Sequence, residues 1–224
     1  MRAIAVLFFA VLLVLAAACA PLKYAQDISF YDSTENSAKD EQQRLVTVAS
    51  RITRHIADLC PDGMTLPQSS SLARPELCGY PVKISERKGI YASTNGKRIK
   101  ISRGLIRFTA TDDELALVLG HELSHILLDH SGVMRSSLIR NAELEADRLG
   151  ISIVARAGYN TETAARFLPR LAKAFHYLNE PQDTYPTPAA RAASIRLAID
   201  EIARQEAKND PLQALQGSAS PVWP

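Results

Sequence analysis

The sequence predicts a mostly helical α+β domain with a small β-sheet. Apolar residues recur at helical spacing in several long stretches, two short strand-like runs flank an Asn-Gly pair, and the composition suits a packed globule. Of 224 residues, 46% are hydrophobic and 22% charged, which excludes a mainly disordered chain, a collagen and a coiled coil. That length fits one domain with tails. The 26 basic and 24 acidic residues leave a net charge of +2, no electrostatic footprint for nucleic acid. Aromatic residues make up 6%, too few for stacking platforms, and three cysteines do not make a disulfide scaffold.

The N-terminus reads as an address and an anchor. Residues 1–18 resemble a bacterial signal peptide: Arg2, an apolar run over Ala3–Leu15, then Ala16–Ala18. The run falls short of the roughly 20 residues of a membrane span. Small residues directly before Cys19 resemble a lipobox, in which the thiol receives diacylglycerol and becomes the mature N-terminus. Ala16 stands where such boxes usually carry Leu. Ordinary cleavage after Ala18 or Ala20 is the rival, and the latter would place Pro21 first. Lipidation of Cys19 is the expectation, and Ala20 in place of Asp favours the periplasmic side of the outer membrane. Residues 19–37 are then a tether, 38–209 the folded domain and 210–224 a disordered tail.

Export changes how Cys60 and Cys78 read. An even pair in an oxidising compartment predicts a disulfide across a Pro-, Gly- and Ser-rich loop, with two free buried thiols as the alternative. Before that loop, Leu45, Val48, Ile52, Ile56 and Leu59 predict a helix over Asp40–Leu59. Val82 and Ile84 alternate with polar residues as a short strand would. Ile90–Ser93 and Arg98–Ser102 flank Asn95-Gly96, which predicts a hairpin with positive φ at both turn positions, and Gly104 ends that unit. Thr111-Asp112-Asp113-Glu114 is a capping box opening a helix to about His130, stopped by Ser131-Gly132. A second helix is expected over Ser136–Ala157, closed by Gly158. A third follows Asn160, with Phe167, Leu168, Leu171, Phe175 and Leu178 as its core stripe and a kink at Pro169. Ala189–Ala207 is the last.

The chemistry sits in His121-Glu122-Leu123-Ser124-His125. Two histidines four apart on a helix project about 40° apart around its axis, so both rings can reach one ion. Neutral imidazoles suit Zn²⁺, and Glu122, at the edge of that face, is placed to act as a general base and then as an acid. Glu143 and Asp147 lie four apart on the next helix. Glu143 is the expected third ligand, and Asp147 the acceptor of a ligand histidine's free ring N–H. Glu145 reads as solvated and His130 as a helix-end or packing residue. His55 and His176 read as structural or solvated. A metzincin is excluded, because its later glycine and histidine positions hold Leu128 and Ser131.

These strings resemble the gluzincin-type endopeptidases of metallopeptidase family forty-eight. That family includes the CAAX prenyl proteases, the HtpX-type heat-shock proteases and the BepA- and LoiP-like quality-control proteases. The resemblance covers roughly Asp40–Arg191. It rests on HELSH with its trailing His130, Glu143–Asp147, Arg148-Leu149-Gly150, Gly158-Tyr159 and Tyr91–Leu105. It implies a zincin-like fold with the sheet over the active-site helix, one Zn²⁺, and a hairpin that either takes a substrate as an added strand or is merely structural. Tyr185 stands where the family often has a His. It is a candidate oxyanion donor or a packing residue, and Arg191 a candidate to steady the oxyanion or the site around it.

The implied function is zinc-dependent endoproteolysis of unfolded or misassembled envelope proteins. The alternative is a non-proteolytic, chaperone-like binder with a structural or occluded zinc. An intramembrane protease is excluded, because no later apolar run can span a bilayer. The sequence does not specify an oligomeric state.

Overall fold

The computed structural model describes residues 38–60, 75–130 and 136–209. The expected signal peptide, Cys19, the tether, the tail and the Ser131-Gly132 stop lie outside the described residues. Among those described, no helix is long and apolar enough to cross a membrane.

Helix α1 (Ala38–His55) buries Leu45, Val48 and Ile52 of the expected stripe in the core, with Ala49 beside them. It ends before Ile56, and Ala57–Leu59 form a separate 3-10 turn. A disulfide joins Cys60 to Cys78, with Cα atoms 5.2 Å apart. The chain then builds β1 (Glu76–Leu77), β2 (Tyr80–Ser85), β3 (Ala92–Thr94) and β4 (Ile99–Ser102). They form one mixed sheet in the order β1-β2-β4-β3. β2 runs parallel to β4, and β3 is antiparallel to β4 with Ala92 opposite Ile101. Ile99 and Ile101 face inward and Lys100 outward, the alternation of a half-buried strand.

The hairpin is present, but its turn differs from expectation. Gly96 has positive φ while Asn95 does not, because the Asn95 side chain accepts from the N–H groups of Lys97 and Arg98 and closes a longer loop. Gly104 does not end the unit either. Ser102 caps the short helix α2 (Arg103–Phe108) by accepting from Leu105 N.

Helix α3 (Asp112–Leu127) opens on Thr111, whose hydroxyl accepts from Glu114 N. Asp112, Asp113 and Glu114 suit its positive end. Leu115–His125 are all buried, so α3 is the central rod of the domain. It stops three residues short of the expected end, and Asp129 turns the chain at φ 50°. Helix α4 (Ser136–Arg156) crosses α3 at Gly120 and Gly150. A Cβ on Gly120 would lie 2.9 Å from Gly150 O, and one on Gly150 would lie 3.0 Å from His121 N. Only glycines allow this approach. Glu143 and Asp147 stand seven and three positions before Gly150, on the helix face that meets α3.

The expected kinked helix is instead two helices, α5 (Thr161–Ala164) and α6 (Phe167–Ala174), followed by a 3-10 turn over His176–Asn179. Pro169 lies in the first turn of α6, where its missing N–H breaks no helical bond. Helix α7 (Pro188–Asn209) packs on α4 and α6 and sets Arg191 in its first turn.

Candidate metal centre

His121 and His125 point the same way from buried turns of α3. Their Nε2 atoms lie 3.0 Å apart. Glu143 reaches in from α4, with Oε2 3.5 Å from His121 Nε2 and Oε1 3.5 Å from His125 Nε2. These three residues are the described group that could hold a metal ion, with ligand atoms within 4.8 Å of one another. All are buried.

The donor set fits a cation on two independent grounds. Two imidazole nitrogens and a carboxylate converge, and Glu143 Oε1 makes no hydrogen bond although buried. Beside them Glu122 is 0% exposed, and among the described residues neither of its carboxylate oxygens has a hydrogen-bond partner. Buried polar atoms are almost always satisfied, and leaving them unpaired costs on the order of 1–3 kcal/mol each. The residues present therefore fit a cation, which His121, His125 and Glu143 would hold.

The electrostatics agree. Burial raises the Glu122 carboxyl to about 8, with the Glu143 charge adding to it and His121 and Arg191 opposing. Burial lowers the His125 ring to about 4. Burial and Arg191 would lower His121 too, but hydrogen bonds to Asp147 and Glu143 prevail and lift it to about 9. Burial favours neutral Glu143, yet the neighbouring His121 and His125 rings and the Arg191 charge hold it well below the usual range. Positive charge is thus concentrated between Glu143 and Asp147, where a divalent ion would replace the ring proton.

A layer of side chains lies behind each histidine. His121 Nδ1 is 2.9 Å from Asp147 Oδ1, the placement expected of Asp147. Arg191 clamps the same carboxylate, Nε donating to Oδ2 at 2.8 Å and Nη2 to Oδ1 at 2.6 Å. Its Nη1 lies 3.4 Å from Glu143 Oε2. Arg191 is therefore buried behind the ligands. Behind His125, its Nδ1 meets His130 Nδ1 at 2.9 Å, and His130 Nε2 meets Glu145 Oε2 at 3.2 Å. His130 lies just past the end of α3 and is buried, as a helix-end or packing residue would be, and it also bonds a candidate ligand; Glu145 is 62% exposed, as expected of a solvated residue, while its carboxylate meets His130. Five residues from His125 is not helical spacing, so the signal for His130 was the turn at Asp129.

Tyr185 is half-buried on the loop before α7. Burial and the Glu143 charge raise its phenol above the usual range. Arg140 Nη2 donates to the carbonyls of Gln182 and Asp183 at 2.8 and 2.9 Å and ties this loop to α4. His55 and His176 are exposed and lie outside the cluster.

A mostly helical α+β fold with a small mixed sheet beside a buried H-E-x-x-H helix is consistent with a zincin-like metallopeptidase domain. Residues 64–139 match Peptidase family M48. That stretch takes in His121, Glu122 and His125 and ends before Glu143. The chain is 26% identical to the beta-barrel assembly-enhancing protease of Yersinia pestis, over 45% of this chain and 30% of that protein. It is 24% identical to the protein of the same name from Escherichia coli K12, with the same coverage. The chain thus spans about a third of the length of the curated relatives it matches. The resemblance to metallopeptidase family forty-eight is borne out.

Proposed function

We propose that this chain is a zinc-dependent endopeptidase of the bacterial cell envelope that acts on unfolded or misassembled envelope proteins. The observation that carries the reading is the unpartnered, fully buried Glu122 carboxylate beside the converging His121, His125 and Glu143. A structural metal needs no such group, whereas hydrolysis does. The protease names of the curated relatives support it.

Zn²⁺ held by His121, His125 and Glu143 would supply a Lewis acid for the peptide carbonyl. The remaining work falls to the chain. Glu122 takes a proton from the attacking water and delivers it to the leaving amine, a role its burial beside the three ligands suits. Asp147 and Arg191 hold His121 in register, so Arg191 acts as a positioning residue. Tyr185, protonated at neutral pH, offers a hydrogen bond to the developing oxyanion. Among the described residues β3 ends the sheet order, and a substrate would add to that edge through backbone hydrogen bonds with little sequence selectivity. Lipid on Cys19 would hold the domain at the periplasmic side of the outer membrane.

The test is cleavage of casein by the full chain with and without a chelator. Glu122→Gln is expected to keep zinc and lose cleavage. Undiminished cleavage by that variant overturns the reading, and zinc retention without cleavage by the wild type favours the chaperone-like binder. Tyr185→Phe, which keeps the ring, is expected to lower kcat about 10²-fold with zinc content unchanged.

A further inference from the structure

His130 has no part in the chemistry above, yet it is 7% exposed and bonded on both ring nitrogens. We propose that His130 and Glu145 form a positioning pair that fixes the tautomer and orientation of His125, so that its Nε2 lone pair faces the metal. The inference rests on the reading of His121, His125 and Glu143 as metal ligands.

The polarity of the chain of bonds follows from proton counting. A neutral imidazole carries one N–H. If His125 Nε2 is to bind a cation, the proton must sit on Nδ1. That atom lies 2.9 Å from His130 Nδ1, so His130 must accept there. The proton of His130 is thereby placed on Nε2, which lies 3.2 Å from Glu145 Oε2 and donates to it. One arrangement satisfies every atom, and it leaves His125 Nε2 bare. The opposite arrangement would make His130 the donor and put the His125 proton on Nε2, 3.0 Å from His121 Nε2, inside the cluster of ligand atoms.

The backbone builds this pair deliberately. α3 ends at Leu127, and the left-handed turn at Asp129 swings His130 back against the helix it has just left. Glu145 comes from α4, two residues past Glu143, so the helix that brings the third ligand also brings the far end of the relay. Glu145 is 62% exposed, and its charge is screened, so most of the effect belongs to His130.

The experiment measures zinc affinity of the full chain by competition with a chromophoric chelator. His130→Ala is expected to weaken binding by about 10- to 100-fold, the usual cost of removing an outer-shell partner. His130→Asn, whose side-chain oxygen can accept near the place of Nδ1, is expected to recover most of that loss. Glu145→Gln is expected to lose at most about fivefold. Nitrogen NMR of the wild-type chain should show His125 as the Nδ1–H tautomer and His130 as the Nε2–H tautomer, a readout that survives if His130→Ala does not fold. Wild-type affinity in His130→Ala, or an Nε2–H tautomer at His125, overturns the pair. Failure of the wild type to bind zinc more tightly than Glu143→Gln instead overturns the metal reading itself.

Discussion

The two histidines of the site are backed in opposite ways. Behind His121 stand Asp147 and Arg191, both buried, 44 positions apart in the sequence and joined by two short hydrogen bonds. Behind His125 stand His130 and Glu145, the first buried, the second at the surface. The inner support couples ligand geometry to the packing of three helices, α3, α4 and α7. The outer support is local, built from a helix end and the helix beside it. Damage to the inner support should therefore reach the fold, while damage to the outer one should reach the metal alone.

The largest expected effect comes from Asp147→Ala. It leaves the buried Arg191 guanidinium with only the more distant Glu143 carboxylate, and breaking a buried pair from one side costs about 3–5 kcal/mol of unfolding free energy. Urea denaturation of the zinc-free full chain measures it, and a loss below about 1 kcal/mol would erase the distinction between the two supports. The comparison sharpens in Asp147→Leu with Arg191→Met. Replacing both charges with apolar groups of similar size should restore most of the stability, yet zinc affinity should stay low, because His121 has lost its acceptor. Recovery of both together would mean that Asp147 serves packing only.

Gly150→Ala tests the frame that the supports share. Its Cβ would lie 3.0 Å from His121 N, a backbone atom that cannot swing aside. Overpacking of this kind costs about 1–3 kcal/mol, read as a fall in Tm of the zinc-free chain. The smallest effect is expected from Glu145→Gln, a change of less than about 0.5 kcal/mol in stability. A larger loss in the same urea series would show the outer support to be structural after all.

Much of this was legible in the sequence because it is local. The α1 stripe, the Thr111 cap and the pairing of Glu143 with Asp147 each depend on residues within one or two turns, and each appears where periodicity put it. What escaped depends on where the chain goes after it leaves a helix. Nothing in His125 to His130 spells a contact until the backbone turns at Asp129. Arg191 was visible as a site residue, but its carboxylate partner lies on another helix, which spacing cannot reveal. Pro169 misled for a related reason. Its chemistry forbids a helix interior but permits a helix start, and the break at Ala165-Arg166 decides which applies.

The Gly120–Gly150 crossing leaves this molecule a place with no room to trade. In most cores a larger residue on one side can be balanced by a smaller one opposite, and sequences drift along such pairs. Here each side already carries the smallest residue there is, and each faces backbone rather than side chain. No second change nearby can therefore absorb the first. Substitution at either glycine moves a whole helix, and Glu143 and Asp147 travel with it.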